Sequence, residues 1–436
     1  MSAIRTIVSF PGTAAFAQQI ARAFLEQNAL KAFVTTFAFH SDGVVARALS
    51  YAPASIAGRL RRNLERRSVP LVPSSFLRVH PFWEIARIAA SEGGASPVLV
   101  DRIWDQMSHD FDRWVGRRFV PQAEAIYAYE YTALATFEHA RARGVARLLD
   151  LPSLSSRHFE ALQRAEKERF SELGSRNDAY FLSKFERRQA RRDAEIRLAD
   201  VIVANSTLTK RSHIAGGADA AKIIVVPLGA PPAATSVRMT FDPDRPLHVV
   251  WAGSFIIRKG AHYFLEAWRA LHAGPRARAS VCGRVGLPES ALHSIPACVS
   301  FRGQVSQPEL FATFDSGDIL VFPTLSDGFG MVVTEAFARG LPVITTDQAG
   351  AADLVRHGEN GLKVPAGDAM ALKDALQWCL DNRRALYQMR FAALETAERW
   401  QWSDYRRKLI EEVSAGLRRA GYAPTLTPVL QPESAA

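Results

Sequence analysis

Between Ile319 and Thr345 the chain sets two carboxylates, Asp327 and Glu335, eight positions apart around a glycine-bearing turn. The apolar run Ile319-Leu-Val-Phe322 leads through Pro323-Thr-Leu325 into Ser326-Asp-Gly-Phe-Gly330. Met331-Val-Val-Thr-Glu335 then starts a helix that Gly340 closes. Gly328 and Gly330 let the backbone approach a partner closely, and the free N–H groups of a helix start face the loop. That combination suits a diphosphate. Carboxylates accept two or more hydrogen bonds each and suit vicinal diols. Asp327 in the loop can meet sugar hydroxyls, and Glu335, one turn into the helix, can reach a ribose. The plainer reading of the same residues is an N-cap, Ser326 or Asp327, followed by a surface glutamate.

The elements around this segment read as alternating strands and helices. Ile4–Phe10, ending at Pro11-Gly12, predicts a buried first strand; Ala14–Asn28 has helical apolar spacing; Leu30–Phe39 predicts a second strand. Residues 51–120 are less regular, with helical segments carrying Trp83, Trp104 and Trp114. Further strands are expected at Ala125–Tyr131, Ala146–Leu151, Val201–Val203 and Lys222–Val226, and a long charged helix at Leu182–Ala199. Ala230-Pro-Pro-Ala-Ala-Thr235 reads as a linker. The alternation then restarts, with strands at Leu247–Ala252, Ala279–Cys282, Val299–Phe301, Ile319–Phe322 and Pro342–Thr345. Two tandem parallel α/β domains aim the ends of their strands into the cleft between them, so the site belongs in the loops after strands.

Composition narrows the function classes. With 436 residues, 48% apolar and 22% charged, the chain can bury cores without staples. Cys282, Cys298 and Cys379 have no paired or metal-ligand spacing, and fit a reducing compartment. The first ten residues are too short and polar for a signal peptide, and no run approaches the ~18 apolar residues of a membrane span. The protein is expected in the cytoplasm. None of the eleven histidines forms a metal pair, so no metal is expected. No Gly-x-Gly-x-x-Gly follows the first strand and no Walker lysine motif occurs, which argues against a dinucleotide or P-loop cofactor. The net charge is +10, and residues 1–240 hold 33 Lys and Arg against 23 Asp and Glu, so all the excess lies in the first half. The basic stretches Arg59–Arg67 and Lys184–Arg197 read either as solvated faces or as peripheral contacts with an anionic membrane. They lack the aromatic platform of single-strand nucleic-acid binders.

The Ser326–Glu335 segment resembles the E-x7-E signature of retaining glycosyltransferases of the GT-B fold, family 4 (glycosyl transferases group 1). Asp327 stands where that family usually has its first Glu, one methylene shorter, and Glu335 matches the second. Val250-Trp-Ala-Gly-Ser-Phe-Ile-Ile-Arg-Lys-Gly260 resembles the strand, glycine turn and Lys-Gly that hold the donor diphosphate. Lys259 matches the family lysine, Ser254 follows Gly253 where the family often has Arg, and Arg258 is a candidate second cation. The plainer reading of Arg258-Lys259 is a solvated turn. Arg197–Ser206, Lys222–Gly229 and Thr346–Gly361 are similar to further family stretches, with Ala351 replacing the second glycine of a pair at Gly350. Tyr129 occupies the position where relatives place a His beside the donor sugar, with Glu130 after it; the alternative for Tyr129 is packing. Gly12 resembles a glycine of the loop near the acceptor.

What the resemblance implies is specific. The fold would be α/β, two Rossmann-like domains in the GT-B architecture facing each other across a donor/acceptor cleft. Residues 1–232 would form the acceptor side and 240–400 the donor domain. A helix at 401–420 would cross back, and 421–436 would be a disordered tail. The reaction would be transfer of a sugar from a UDP- or GDP-linked donor to an acceptor hydroxyl with retention, in polysaccharide or glycolipid synthesis, with the nucleotide sugar as substrate and no cofactor. Lys259, Asp327 and Tyr129 would be catalytic. Gly253, Ser254, Arg258, Gly283, Arg284, Gly328, Phe329, Gly330 and Glu335 would complete the donor site, and Gly12 and Glu130 would lie on the acceptor side. Partners would be the donor and a carbohydrate or lipid-linked acceptor; the basic stretches, apart from the resemblance, leave peripheral contact with an anionic membrane as one reading and argue against nucleic acid. Two alternatives stay open: a non-catalytic sugar-nucleotide-binding or scaffold protein, and an inverting or epimerising enzyme on the same fold.

Overall fold

The structure is a computed structural model that describes residues 4–39, 64, 67–173, 177–235, 240–292, 295 and 298–423. Most of the basic cluster at 59–67, and all of the tail beyond 423, lie outside the described residues.

Among the described residues, seven strands form the first sheet: β1 (Thr6–Ser9), β2 (Leu30–Thr35), β3 (Leu77–Val79), β4 (Ala125–Tyr129), β5 (Ala146–Leu151), β6 (Val201–Ala204) and β7 (Ile223–Val225). Six form the second: β8 (Leu247–Ala252), β9 (Ala277–Cys282), β10 (Val299–Gly303), β11 (Ile319–Phe322), β12 (Val343–Thr346) and β13 (Gly361–Val364). Every pairing between these strands is parallel. The inner strands are apolar runs buried along nearly their whole length, as a sheet covered by helices on both faces requires. The expected fold class, two Rossmann-like α/β domains, is what the chain adopts.

The first sheet is flanked by α1 (Ala15–Glu26), α2 (Phe82–Glu92), α3 (Pro97–Arg118), α4 (Leu134–Arg141), α5 (Ser156–Arg169), α6 (Asp178–Leu198) and α7 (Thr207–Ala215). The second carries α8 (Ala261–Leu271), α9 (Gln307–Ser316), α10 (Met331–Ala338), α11 (Ala369–Asp381) and α12 (Arg383–Glu398). The final helix, α13 (Trp402–Arg419), returns to the first sheet. Its Tyr405, Leu409, Ile410, Val413 and Leu417 share an apolar cluster with Ile20, Phe24 and Tyr127. Arg406 on α13 donates to Glu26 and Gln19, at 2.8 Å each.

Strand order decides where chemistry can occur. The sheets run β3-β2-β1-β4-β5-β6-β7 and β10-β9-β8-β11-β12-β13. Each therefore reverses direction once, between β1 and β4 in the first and between β8 and β11 in the second. Ligand crevices open beyond the carboxyl ends of strands at such a point. In the second domain that brings loop 253–260 beside loop 323–330. In the first it brings loop 10–14 beside loop 130–133.

Three local readings change. The strand expected at Ala125–Tyr131 stops at Tyr129 because Tyr131 turns into the left-handed region, with φ 74°. Strands β3 and β13 and the polar helix α5 carry too little apolar periodicity to stand out in the sequence. The basic run of α6 is not a solvated face at its centre. Arg188 donates to Asp101 at 2.7 Å and to Asp105 at 3.1 Å, Arg191 pairs with Asp112, and Arg192 lies 3.4 Å from Glu130. These three guanidinium side chains are 15%, 14% and 20% exposed. They tie α6 to α3 and to the end of β4, which leaves them unavailable to a bilayer. Among the described residues, no helix is long and apolar enough to cross a membrane.

Candidate active site

The β8–α8 connection begins at Gly253, with φ 103°, and passes through Arg258 and Lys259 to Gly260, whose φ of 75° starts α8. The β11–α10 connection carries Ser326, Asp327 and Gly328 to Gly330, whose φ of 90° starts α10. Hydrogen bonds stitch the two loops together. Leu325 N–H donates to Arg258 O at 2.9 Å, and Arg258 Nη1 donates to Ser326 O at 2.7 Å. Lys259 Nζ pairs with Asp327 Oδ2 and lies 4.7 Å from the Phe322 ring centroid. Arg258 Nη1 is 4.0 Å from the same Asp327 oxygen. The structure thus joins Arg258 and Lys259 to Asp327, 68 positions after Lys259 along the chain, in one cluster.

Electrostatics make the cluster reactive towards anions. Burial, and then the neighbouring Arg258, push the Lys259 ammonium well below its usual range, and its ion-pair partner is the Asp327 carboxylate. Burial likewise lowers Arg258. An incoming diphosphate can take the place of Asp327 and satisfy both cations. Glu335, on α10, is partly buried and makes no hydrogen bond or ion pair with the described residues. Burial alone raises its pKa. A carboxylate held this way costs stability unless a ligand donates to it.

The glycines do more than the sequence suggests. A side chain at Gly328 would overlap the Pro152 carbonyl of the first domain. Gly328 O accepts from Ser206 Oγ at 2.6 Å and Thr209 Oγ1 at 3.1 Å. The close approach at Gly328 is therefore to the opposite domain. Gly330 leaves room for the Phe322 ring. Phe329 is buried, and its N–H donates to Asp327 Oδ1 at 3.3 Å. Gly283 packs against the Gly253 carbonyl, while Ser254 and Arg284 are exposed beside them.

On the other side of the cleft Tyr129 ends β4, and its ring packs edge-on against Phe10 at 4.3 Å. Burial, and then Glu130 and Asp150, raise its hydroxyl pKa. Glu130 faces Arg192. Among the described residues no hydrogen bond or ion pair joins Tyr129 or Glu130 to the Lys259–Asp327 pair. Gly12 lines a cavity of about 520 Å³ together with Thr36, Glu84, Arg87 and Trp104. Arg87 grips Glu84 through two bonds of 2.7 Å.

Sequence reasoning missed what holds the 129–131 turn. Glu195 of α6 accepts from the N–H groups of Tyr131, Ala133 and Leu134 at 2.6, 3.0 and 3.1 Å. Asp112 accepts from those of Ala135 and Thr136 at 2.8 Å each. Two remote carboxylates thus cap α4, and the left-handed Tyr131 persists because its surroundings fix it. Among the described residues no group of His, Cys, Asp and Glu is placed to hold a metal ion.

Residues 246–382 match the family model described as glycosyl transferases group 1. That stretch contains both the Lys259 and the Asp327 loops. The amylovoran biosynthesis glycosyltransferase AmsK of Erwinia amylovora is 28% identical over 186 residues, 40% of this chain and 46% of that protein. The D-inositol 3-phosphate glycosyltransferase of Pseudarthrobacter chlorophenolicus is 29% identical over 231 residues, 49% of this chain and 55% of that protein. The chain thus spans about half the length of these curated relatives. The structure of HepE from Anabaena in complex with UDP superposes with a TM-score of 0.61 at 16% identity, covering 94% of this chain and 100% of that one. That likeness establishes the GT-B arrangement of the two domains.

Proposed function

We propose that this chain is a retaining glycosyltransferase of family 4 that moves a sugar from a UDP- or GDP-linked donor to an acceptor hydroxyl. The observation that carries the proposal is the Lys259–Asp327 pair at the β8/β11 reversal, with Arg258 beside it and the unpartnered Glu335 on the following helix. The donor diphosphate displaces Asp327 from Lys259. Lys259, Arg258 and the N–H groups at the start of α10 then stabilise the charge that grows as the sugar departs. Asp327, once released, accepts from the sugar hydroxyls, and Glu335 accepts from the ribose diol. The acceptor hydroxyl attacks on the face that the diphosphate leaves, and no protein nucleophile is nominated.

Other findings support the finer parts of this reading. HepE has been solved with UDP-glucose, which favours a UDP sugar. The named relatives act in polysaccharide synthesis or on an inositol phosphate, which favours a carbohydrate or lipid-linked acceptor. The cavity beside Gly12 is its proposed seat, and Tyr129, packed on Phe10, and Glu130 are the proposed acceptor-side residues at the end of β4. Phe82 and Ile85, 68% and 49% exposed on the helix that contributes Glu84 and Arg87, would meet the apolar part of a lipid-linked acceptor at a membrane surface.

The test is to incubate the protein with UDP- and GDP-sugars and candidate acceptors, following nucleoside diphosphate release and the product anomer by NMR. Release with one donor and a product of the donor's own anomeric configuration is expected. Inverted product would remove the retaining assignment. Donor binding without turnover against any acceptor would favour a non-catalytic binder.

A further inference from the structure

We propose that Glu166 is a positioning residue for the donor site: it reaches from the first domain to clasp the first turn of α8, and so holds Lys259 in place. The proposal rests on the donor reading above. Glu166 is 8% exposed and is the buried residue of α5. Tyr263 O–H donates to its two oxygens, at 3.1 and 3.0 Å, and His262 Nε2 lies 2.9 Å from one of them. The Tyr263 hydroxyl also accepts from Arg169 Nη1 at 3.1 Å, and Arg169 donates to Gly367 O at 3.3 Å. The Phe170 ring packs edge-on against His262 and Tyr263, with centroids 4.9 and 5.6 Å apart.

Two features point to function rather than to packing alone. Helix α5 buries little of its surface in the first domain, and the side chain it does bury is a carboxylate aimed at the other domain. The clasp also grips residues three and four positions after Lys259. Between them stands Gly260, in the left-handed region, where any added side chain would overlap the Pro323 carbonyl. That turn has little room to absorb movement, so a shift in the first turn of α8 passes on to Lys259. His262 Nδ1 is buried without a partner, so Glu166 is the ring's polar contact beside its packing on Phe170. A displacement of about 1 Å at a phosphate-gripping cation costs a large part of its effect.

The test compares Glu166→Ala, Glu166→Gln and Tyr263→Phe with the wild type. It reads donor KM, acceptor KM and amide hydrogen exchange over residues 260–265. Glu166→Ala, which removes the contacts with both Tyr263 and His262, is expected to raise donor KM about tenfold and to leave acceptor KM unchanged. Exchange in the first turn of α8 should quicken. Glu166→Gln keeps an acceptor oxygen and should recover most of the loss, and Tyr263→Phe should fall between. A folded Glu166→Ala protein with unchanged donor KM, or with donor and acceptor KM raised together, would overturn the clasp. If the wild type itself binds no nucleotide sugar, the donor reading fails, and exchange decides the clasp alone: unchanged rates in Glu166→Ala would refute it.

Discussion

Replacing Lys259 with alanine is expected to lower kcat/KM for the proposed sugar transfer about a thousandfold, with the loss mainly in kcat. The size follows from its place in the site. Removing one preorganised donor to a developing charge typically costs 10²- to 10³-fold in rate, and a full positive charge sits at the upper end of that range. Lys259 is suited to this role because burial and Arg258 leave its ammonium poorly solvated. A diphosphate relieves that deficit more fully than Asp327 does, and more so as charge accumulates on the leaving group. The protein should still fold, since Arg258, already 4.0 Å from Asp327, can take over the carboxylate. Steady-state kinetics with a melting curve on the same sample make the check. A folded Lys259→Ala protein that keeps a tenth or more of wild-type kcat/KM would show that Lys259 does not face the leaving group.

Replacing Glu335 with glutamine has two effects of opposite sign. Donor affinity falls about ten- to a hundredfold, the usual loss when a charged hydrogen-bond partner becomes neutral or mismatched. The ligand-free protein becomes more stable. The second effect follows from burial, which raises the Glu335 pKa in the folded state. In the unfolded chain the carboxyl ionises near its ordinary value of about 4.3. Above that pH the unfolded state has lost a proton that the folded state still favours, so the contribution of Glu335 to stability declines as pH rises through its raised pKa. Glutamine does not titrate. The variant should therefore melt higher than the wild type at pH 7, and the difference should vanish as the pH falls below the carboxylate range. A variant that is less stable at pH 7 would mean that Glu335 is a structural residue with a protein partner.

The two loops proposed to hold the donor were legible because their parts are local. A buried strand, a turn with glycine and a helix start leave a signature within about 15 to 17 residues, and both the 247–261 and 319–335 stretches have it. Their adjacency was legible only as an expectation of fold class, since β8 and β11 are neighbours through sheet order rather than through sequence. The acceptor half was harder to read. Glu195 caps a helix some sixty residues before it, and no local pattern marks a carboxylate that serves a distant backbone. The arginines of α6 look like a basic surface until the carboxylates of α3 are set against them. Strand β4 looked two residues too long because nothing in Tyr131 itself announces a left-handed turn. Gly328 was read as making room for a ligand, whereas its missing side chain makes room for Pro152. In each case the decisive partner lies in another element.

The most direct test of the account is a thermal-shift titration of wild type, Lys259→Ala and Glu335→Gln with UDP, GDP and the corresponding monophosphates. A nucleoside diphosphate present at a hundred times its dissociation constant should add about 2.7 kcal/mol to the stability of the wild type. One base should be preferred, and the diphosphate should bind better than the monophosphate. Lys259→Ala should reduce the preference for the diphosphate, with Arg258 and the α10 N–H groups keeping part of it, and Glu335→Gln should weaken both ligands equally. If no nucleotide shifts the wild-type melt, or if both variants respond as the wild type does, the Lys259–Asp327–Glu335 cluster is not a nucleotide-sugar site.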